Sequence, residues 1–253
     1  MTEATRTAVI TGAAGGIGRA IAVGFARRGT SVVIADIRPD AAERTAMEIA
    51  DEFGVEALGL AADVTDSSSV AQLARASLER FSRVDHLVNC AGMSLNGPSI
   101  EHSDEAWTKV LDLNLSGTFY VCREFAPALI ETEGTIVNIS SIAAFSATRP
   151  EVHVGYDATK AAIAALTRTL AVEWAPHGVR VNAVAPGYTN TELLKDVGSA
   201  DPATMDAWIA QTPQRRLMEP ADIAEVVVFL SSPESRAITA QTILADGGYT
   251  AAK

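Results

Sequence analysis

The chain is poor in cysteine: Cys90 and Cys122 are the two among 253 residues, so no disulfide framework staples it. Their surroundings, VNCAG and YVCRE, offer neither metal-ligand spacing nor a CxxC pair, and both thiols are expected to be reduced and structural, with no metal site. A basic excess is lacking too. Twenty Lys+Arg stand against 31 Asp+Glu, and a net charge of -11 repels phosphate backbones and anionic lipid, so neither nucleic acid nor a membrane is an expected partner. No window approaches the roughly 18 uninterrupted apolar residues of a membrane span, and the opening MTEATRTAVITG has no charged-then-apolar signal pattern. A soluble, cytoplasmic protein is expected. What is present is ordinary globular material, 48% hydrophobic and 20% charged, in a chain long enough to bury one core unaided.

Short β-branched apolar runs alternate with amphipathic stretches along the whole chain, the pattern of βαβ units. Strands are expected at Thr7–Ile10, Ser31–Ala35, Ala57–Ala61, His86–Asn89, Thr135–Ile139, Arg180–Val184 and Thr242–Leu244. Most are apolar at every position, as parallel strands covered on both faces are. Helices are expected at Ile17–Arg28, Asp40–Phe53, Ser67–Phe81, Ser103–Leu129, Tyr156–Trp174 and Ala221–Leu230, with caps at Asp66 and Ser103. With no linker and no repeat, the pattern predicts one α/β domain: a doubly wound parallel sheet of about seven strands with helices on both faces. Gly187–Pro220 breaks the rhythm. Its weak helical pieces, around Leu193–Val197 and Ala203–Ala210, suggest a lid over a site.

Chemistry begins after the first strand, where Gly12-Ala13-Ala14-Gly15-Gly16-Ile17-Gly18 runs directly into a helix. Glycines permit a sharp turn and close approach to a pyrophosphate, and the helix N-terminus offers free N–H groups. The spacing is G-x-x-x-G-x-G, which differs from the commoner G-x-G-x-x-G fingerprint. The next strand ends in Asp36, placed to accept from the 2′-hydroxyl of NAD. A 2′-phosphate would meet that charge, and Gly15 stands where a basic residue might receive it, although Arg38 can compensate in part. NAD is therefore expected over NADP. Further along, Tyr156 and Lys160 are four apart on a helix, about 5 to 6 Å between Cβ atoms. A neighbouring ammonium favours the phenolate, and the pair is expected to lower the tyrosine pKa towards neutral acid–base work.

Taken in order, Gly12-x-x-x-Gly16-x-Gly18, Asn89-Cys90-Ala91-Gly92, Asn114, Ser140-Ser141, Tyr156-x-x-x-Lys160 and Pro186-Gly187 resemble the short-chain dehydrogenase/reductase family over nearly the whole chain. The resemblance implies a Rossmann-type domain and an enzyme acting on a CH–OH group. It makes Tyr156 the general acid/base and Lys160 the residue that lowers its pKa and holds the nicotinamide ribose. Ser141, or less readily Ser140, would hydrogen-bond the substrate oxygen. Asn114 would kink its helix and bind a proton-relaying water. Cofactor contacts would come from Gly12, Gly16, Ile17, Gly18 and Asp36, from Asp63 and Val64 at the adenine, from Asn89, Ala91 and Gly92 along the adenosine, and from Pro186, Gly187 and Thr191 at the nicotinamide. Two departures stand out, Cys90 where a second Asn is common and Ala240 where Gly is.

The loop Ile142–Gly155 is longer than in many members. With Arg149-Pro150, Glu173-Trp174-Ala175 and Trp208-x-x-x-Thr212-Pro213 it looks like the polyol and ketose dehydrogenases of the family. A polyol or sugar-like secondary alcohol is the expected substrate, with 3-oxoacyl thioesters or cyclic and steroid alcohols as alternatives. A non-catalytic dinucleotide-binding protein is the rival of another class. Ser146, Thr148, Glu151, His153 and Tyr188 are candidate pocket residues, although as loop residues they are expected to face solvent. The resemblance also implies a homotetramer or homodimer.

Overall fold

The computed structural model describes residues 5–192, 194 and 201–252. Seven parallel strands form one sheet: β1 (Thr7–Thr11), β2 (Ser31–Asp36), β3 (Ala57–Ala61), β4 (His86–Asn89), β5 (Thr135–Ile139), β6 (Arg180–Pro186) and β7 (Thr242–Ala245). Their spatial order is β3-β2-β1-β4-β5-β6-β7. The order reverses between β1 and β4, whose register pairs Val9 with Leu87 and Thr11 with Asn89. Such a reversal opens a crevice beyond the carboxyl ends of the strands, where ligands of doubly wound sheets bind.

The central strands are buried on both faces because alternate residues feed separate cores. Ile10, Ile34, Val88 and Val184 pack with Ile21, Phe25, Ile49 and Ile223. These belong to α1 (Gly16–Ala26), α2 (Pro39–Phe53) and the helix Pro220–Ser231. On the opposite face Val9, Val33, Leu87, Ile136 and Val181 meet Leu73, Phe125, Leu129 and Leu170. Those come from α3 (Ser67–Phe81), the helix Gly117–Thr132 and the helix Val154–Trp174. The edge strands β3 and β7 have one neighbour each and are only half-buried.

The caps fall where the sequence places them: Asp66 accepts from the Ser68 amide at 2.9 Å and Ser103 from Ala106 at 3.1 Å. The single helix expected over Ser103–Leu129 is two. A π turn at Asp112–Ser116 separates α4 (Asp104–Leu111) from α5 (Gly117–Thr132). The inserted turn holds the buried Asn114. Next come α6 (Val154–Trp174), α7 (Pro202–Gln211) and α8 (Pro220–Ser231). The expected helical piece at Ala203–Ala210 is α7; of the one at Leu193–Val197, only Leu194 is among the described residues.

Candidate active site

At the β1–α1 turn Gly12 has φ +64°, and a Cβ there would lie 2.8 Å from the Ala91 Cα, so the loop after β4 closes onto bare backbone. A Cβ on Gly18 would stand 2.3 Å from the Gly12 carbonyl oxygen, so α1 starts directly over the turn. Gly15 caps α1 without a side-chain hydrogen bond, and no acidic residue occupies the first turn, where Ile17 lies. The first amides and the positive end of the helix dipole therefore stay unspent, the donor set that a pyrophosphate requires. Thr191, after the Pro186-Gly187 segment, folds over this turn, its Cγ2 within 3.6 Å of a Cβ position on Gly16.

Asp36 ends β2 and is buried, but its carboxylate is already engaged. Oδ2 accepts from the Ala14 amide at 3.1 Å, and Oδ1 accepts from the Arg38 amide and Nε, each at 3.1 Å. The hydrogen bond and charge of Asp36 push the Arg38 guanidinium above its ordinary pKa. Asp63 accepts from the Thr65 amide and hydroxyl in the turn after β3, and Val64 is buried beside it. The Asn89 side-chain amide donates to Asn138 Oδ1 at 2.8 Å and is buried between β4 and β5.

Four elements converge on Tyr156 and Lys160 in the first turns of α6. Gly92 brings the loop after β4 within reach, since a Cβ there would sit 3.2 Å from Asn114 Oδ1 and 3.5 Å from Lys160 Nζ. Asn114 is a brace: Oδ1 accepts from the Met93 amide, and Nδ2 donates to the Met93 carbonyl at 2.9 Å and to Thr159 Oγ1 at 3.1 Å. The two serines after β5 divide. Ser140 donates to the Lys160 carbonyl, whereas Ser141 hydrogen-bonds the Tyr156 phenol and accepts from the Ala143 amide. The Lys160 ammonium donates to the Ile139 carbonyl at 2.8 Å and lies 5.4 Å from the centre of the Tyr156 ring.

The electrostatics correct one expectation. Burial pushes the Tyr156 phenol above its usual pKa, against the lowering influence of the Ser141 hydrogen bond. Burial pushes Lys160 down to about 8. Spacing along a helix shows the ammonium's proximity but not the desolvation of both groups, and here desolvation dominates. Cys90 and Cys122 are pushed up to about 11 and about 12 by burial, so neither is a thiolate near neutrality.

The loop Ile142–Gly155 does not lie open to solvent as expected at Thr148 and His153, which are both buried. Glu151 ties it to the remainder of the site. Its Oε1 accepts from Trp208 Nε1 of α7 at 2.5 Å and its Oε2 from the Tyr188 hydroxyl at 2.9 Å. Tyr188 stacks on Trp208, ring centres 4.9 Å apart, and meets Tyr249 of the C-terminal tail edge-on at 5.5 Å. The loop, α7 and the tail thus close one wall together. Asp157, overlooked in the sequence, contacts His153; the i,i+4 spacing was its signal.

A nucleotide-binding sheet with a Ser-Tyr-Lys cluster at its carboxyl end defines a class of oxidoreductase, and similarity to known proteins agrees. The profile of a family described as enoyl-(acyl carrier protein) reductase matches residues 12–250. The chain belongs to the short-chain dehydrogenase/reductase family. It is 37% identical to galactitol 2-dehydrogenase (L-tagatose-forming) of Cereibacter sphaeroides, covering 96% of this chain and 94% of that one. It is also 37% identical to D-threitol dehydrogenase of Mycolicibacterium smegmatis, covering 97% and 93%. A solved structure titled as a putative NAD(P)-dependent gluconate 5-dehydrogenase from Beutenbergia cavernae, with NADP bound, superposes with a TM-score of 0.91 at 39% identity over 98% of both chains. Among the described residues no helix is long and apolar enough to cross a membrane.

Proposed function

We propose that the protein interconverts a secondary alcohol and its ketone with NAD(H), and that the alcohol is a polyol or sugar-like compound. The observation that carries this reading is the convergence of Ser141, Tyr156 and Lys160 beside the uncapped start of α1. NAD, when bound, supplies the acceptor or donor for hydride. The chain's own residues do the rest. Unspent amides at the start of α1 hold the pyrophosphate, and Asp36 accepts from the adenosine ribose. Ser141 donates to the substrate oxygen, where negative charge gathers. Tyr156 takes the hydroxyl proton during oxidation and returns it during reduction. Lys160, its ammonium 5.4 Å from the centre of the Tyr156 ring, holds the nicotinamide ribose, and Asn114 fixes the backbone around both.

NAD is read from Asp36, whose negative charge opposes a 2′-phosphate; Arg38 beside it partly offsets that charge. The polyol reading draws on the galactitol and D-threitol relatives and on the polar wall built by Glu151 and Tyr188. Half-exposed Trp107 and Phe119 on α4 and α5, and Leu244 on the edge strand β7, favour a homo-oligomer, a tetramer or dimer, that a solution mass would identify. The reading is tested by following reduced cofactor when the protein is offered polyols, simple secondary alcohols, hydroxyacyl thioesters and steroid alcohols with NAD and NADP in parallel. Turnover of polyols with NAD is expected. Turnover confined to thioesters with NADP would overturn it.

A further inference from the structure

We propose that Glu151 selects the substrate by charge: its carboxylate accepts from the hydroxyls of a neutral polyol and turns away sugar acids, so that aldonates are excluded from the site. This rests on the reading of the substrate as a polyol and narrows that class to its uncharged members. Glu151 lies on the loop that joins Ser141 to Tyr156, and its two partners come from other elements. Trp208 Nε1 of α7 donates to Oε1 at 2.5 Å, and the Tyr188 hydroxyl donates to Oε2 at 2.9 Å. Tyr188 follows Pro186-Gly187 at the carboxyl end of β6, so the carboxylate is held at the same end of the sheet as Ser141 and Tyr156.

The carboxylate is half-buried, and its charge is not neutralised. Among the described residues no lysine, arginine or histidine forms an ion pair with it. Arg149, two residues earlier, is exposed, and its backbone carbonyl accepts from the Tyr188 hydroxyl and Gln211 Nε2. Both donors to Glu151 are neutral. Burial first, and then the Glu151 charge, push the Tyr188 phenol above its ordinary pKa, and an indole does not ionise. The charge also reaches the start of α6: burial raises the Asp157 carboxyl, and Glu151 adds to that push. A carboxylate offers about four accepting positions, of which Trp208 and Tyr188 occupy two. The others suit hydroxyl donors. A substrate carboxylate has no proton to give there, and would face a like charge with no cation between the two.

The test is initial rates with NAD on galactitol, gluconate and gluconamide, the uncharged amide of the same carbon skeleton, in wild type, Glu151→Gln and Trp208→Phe. Binding of each compound to the protein–NADH complex is followed by fluorescence. Wild type should favour gluconamide over gluconate by about 10-fold or more in kcat/KM, as two like charges several ångströms apart in a partly buried site require. In Glu151→Gln that preference should shrink to within about three-fold. Trp208→Phe alters the same wall but keeps the carboxylate, so it should lower efficiency towards the three compounds alike and retain the preference; a purely structural tie would make the two variants behave the same way. Equal use of gluconate and gluconamide by wild type, or an undiminished preference in folded Glu151→Gln, overturns the proposal. If Glu151→Gln does not fold, Glu151→Met, of similar length and without charge, takes its place. Failure to turn over galactitol and gluconamide alike would instead overturn the polyol reading, and the order of binding to the NADH complex then decides the role of Glu151.

Discussion

Replacing Asp36 with Asn keeps the volume of the side chain and removes its charge. The carboxylate accepts from three donors, the Ala14 amide, the Arg38 amide and the Arg38 Nε. An amide has one accepting atom, so either the turn loses its tie to Ala14 or Arg38 loses both of its contacts. A hydrogen bond to a charged group contributes about 1.5 to 3 kcal/mol, and the Arg38 share is discounted because that side chain is 65% exposed. Loss of the ribose contact at the same strength lowers kcat/KM for NAD by about 10- to 100-fold. NADP gains, because the charge opposing its 2′-phosphate is gone and Arg38 is released towards Gly15, where its terminal nitrogen already lies 3.9 Å from a Cβ position. The assay is initial rates with each dinucleotide at fixed alcohol, with binding of each reduced dinucleotide followed by protein fluorescence. A ratio of NAD to NADP efficiency within about two-fold of wild type, in a protein of unchanged melting temperature, would refute the role given to Asp36.

Two further perturbations probe the scaffold and the wall. His86 is buried against Phe25 and Thr135 Oγ1 and is pushed down to about 4 by burial, so it is neutral in the fold. Its contribution is full above its unfolded value of about 6.5 and is lost as pH falls towards 4; by pH 5 about 2 kcal/mol should be gone in urea titrations, a loss that His86→Asn does not show. A pH-independent difference between the two proteins would contradict this. Trp208→Phe keeps an aromatic ring against Tyr188 but removes the donor to Glu151, and should raise KM for the alcohol about five-fold with kcat little changed. An unchanged KM would detach α7 from substrate binding.

The sheet was legible because central strands covered on both faces read as unbroken apolar runs, and β3, β4 and β5 end where the sequence places them. The π turn was not, because it spans a single turn, too short for periodicity to separate from the helices on either side, and only Asn114 marks it. Glycines forced by backbone contact, and the Ser-Tyr-Lys order, pointed to the site directly. What escaped depended on three dimensions. Thr148 and His153 are buried because Asp157 and Glu151 draw their loop onto α6 and α7. The upward push on Tyr156 comes from desolvation, which no spacing along one helix encodes.

The central claim is that Tyr156 moves the proton. Turnover of a polyol with NAD should fall by about 100-fold or more in Tyr156→Phe while binding of NADH, measured by fluorescence, stays within about two-fold of wild type. Near-normal turnover in that variant, with the protein folded and the dinucleotide bound, would contradict the account.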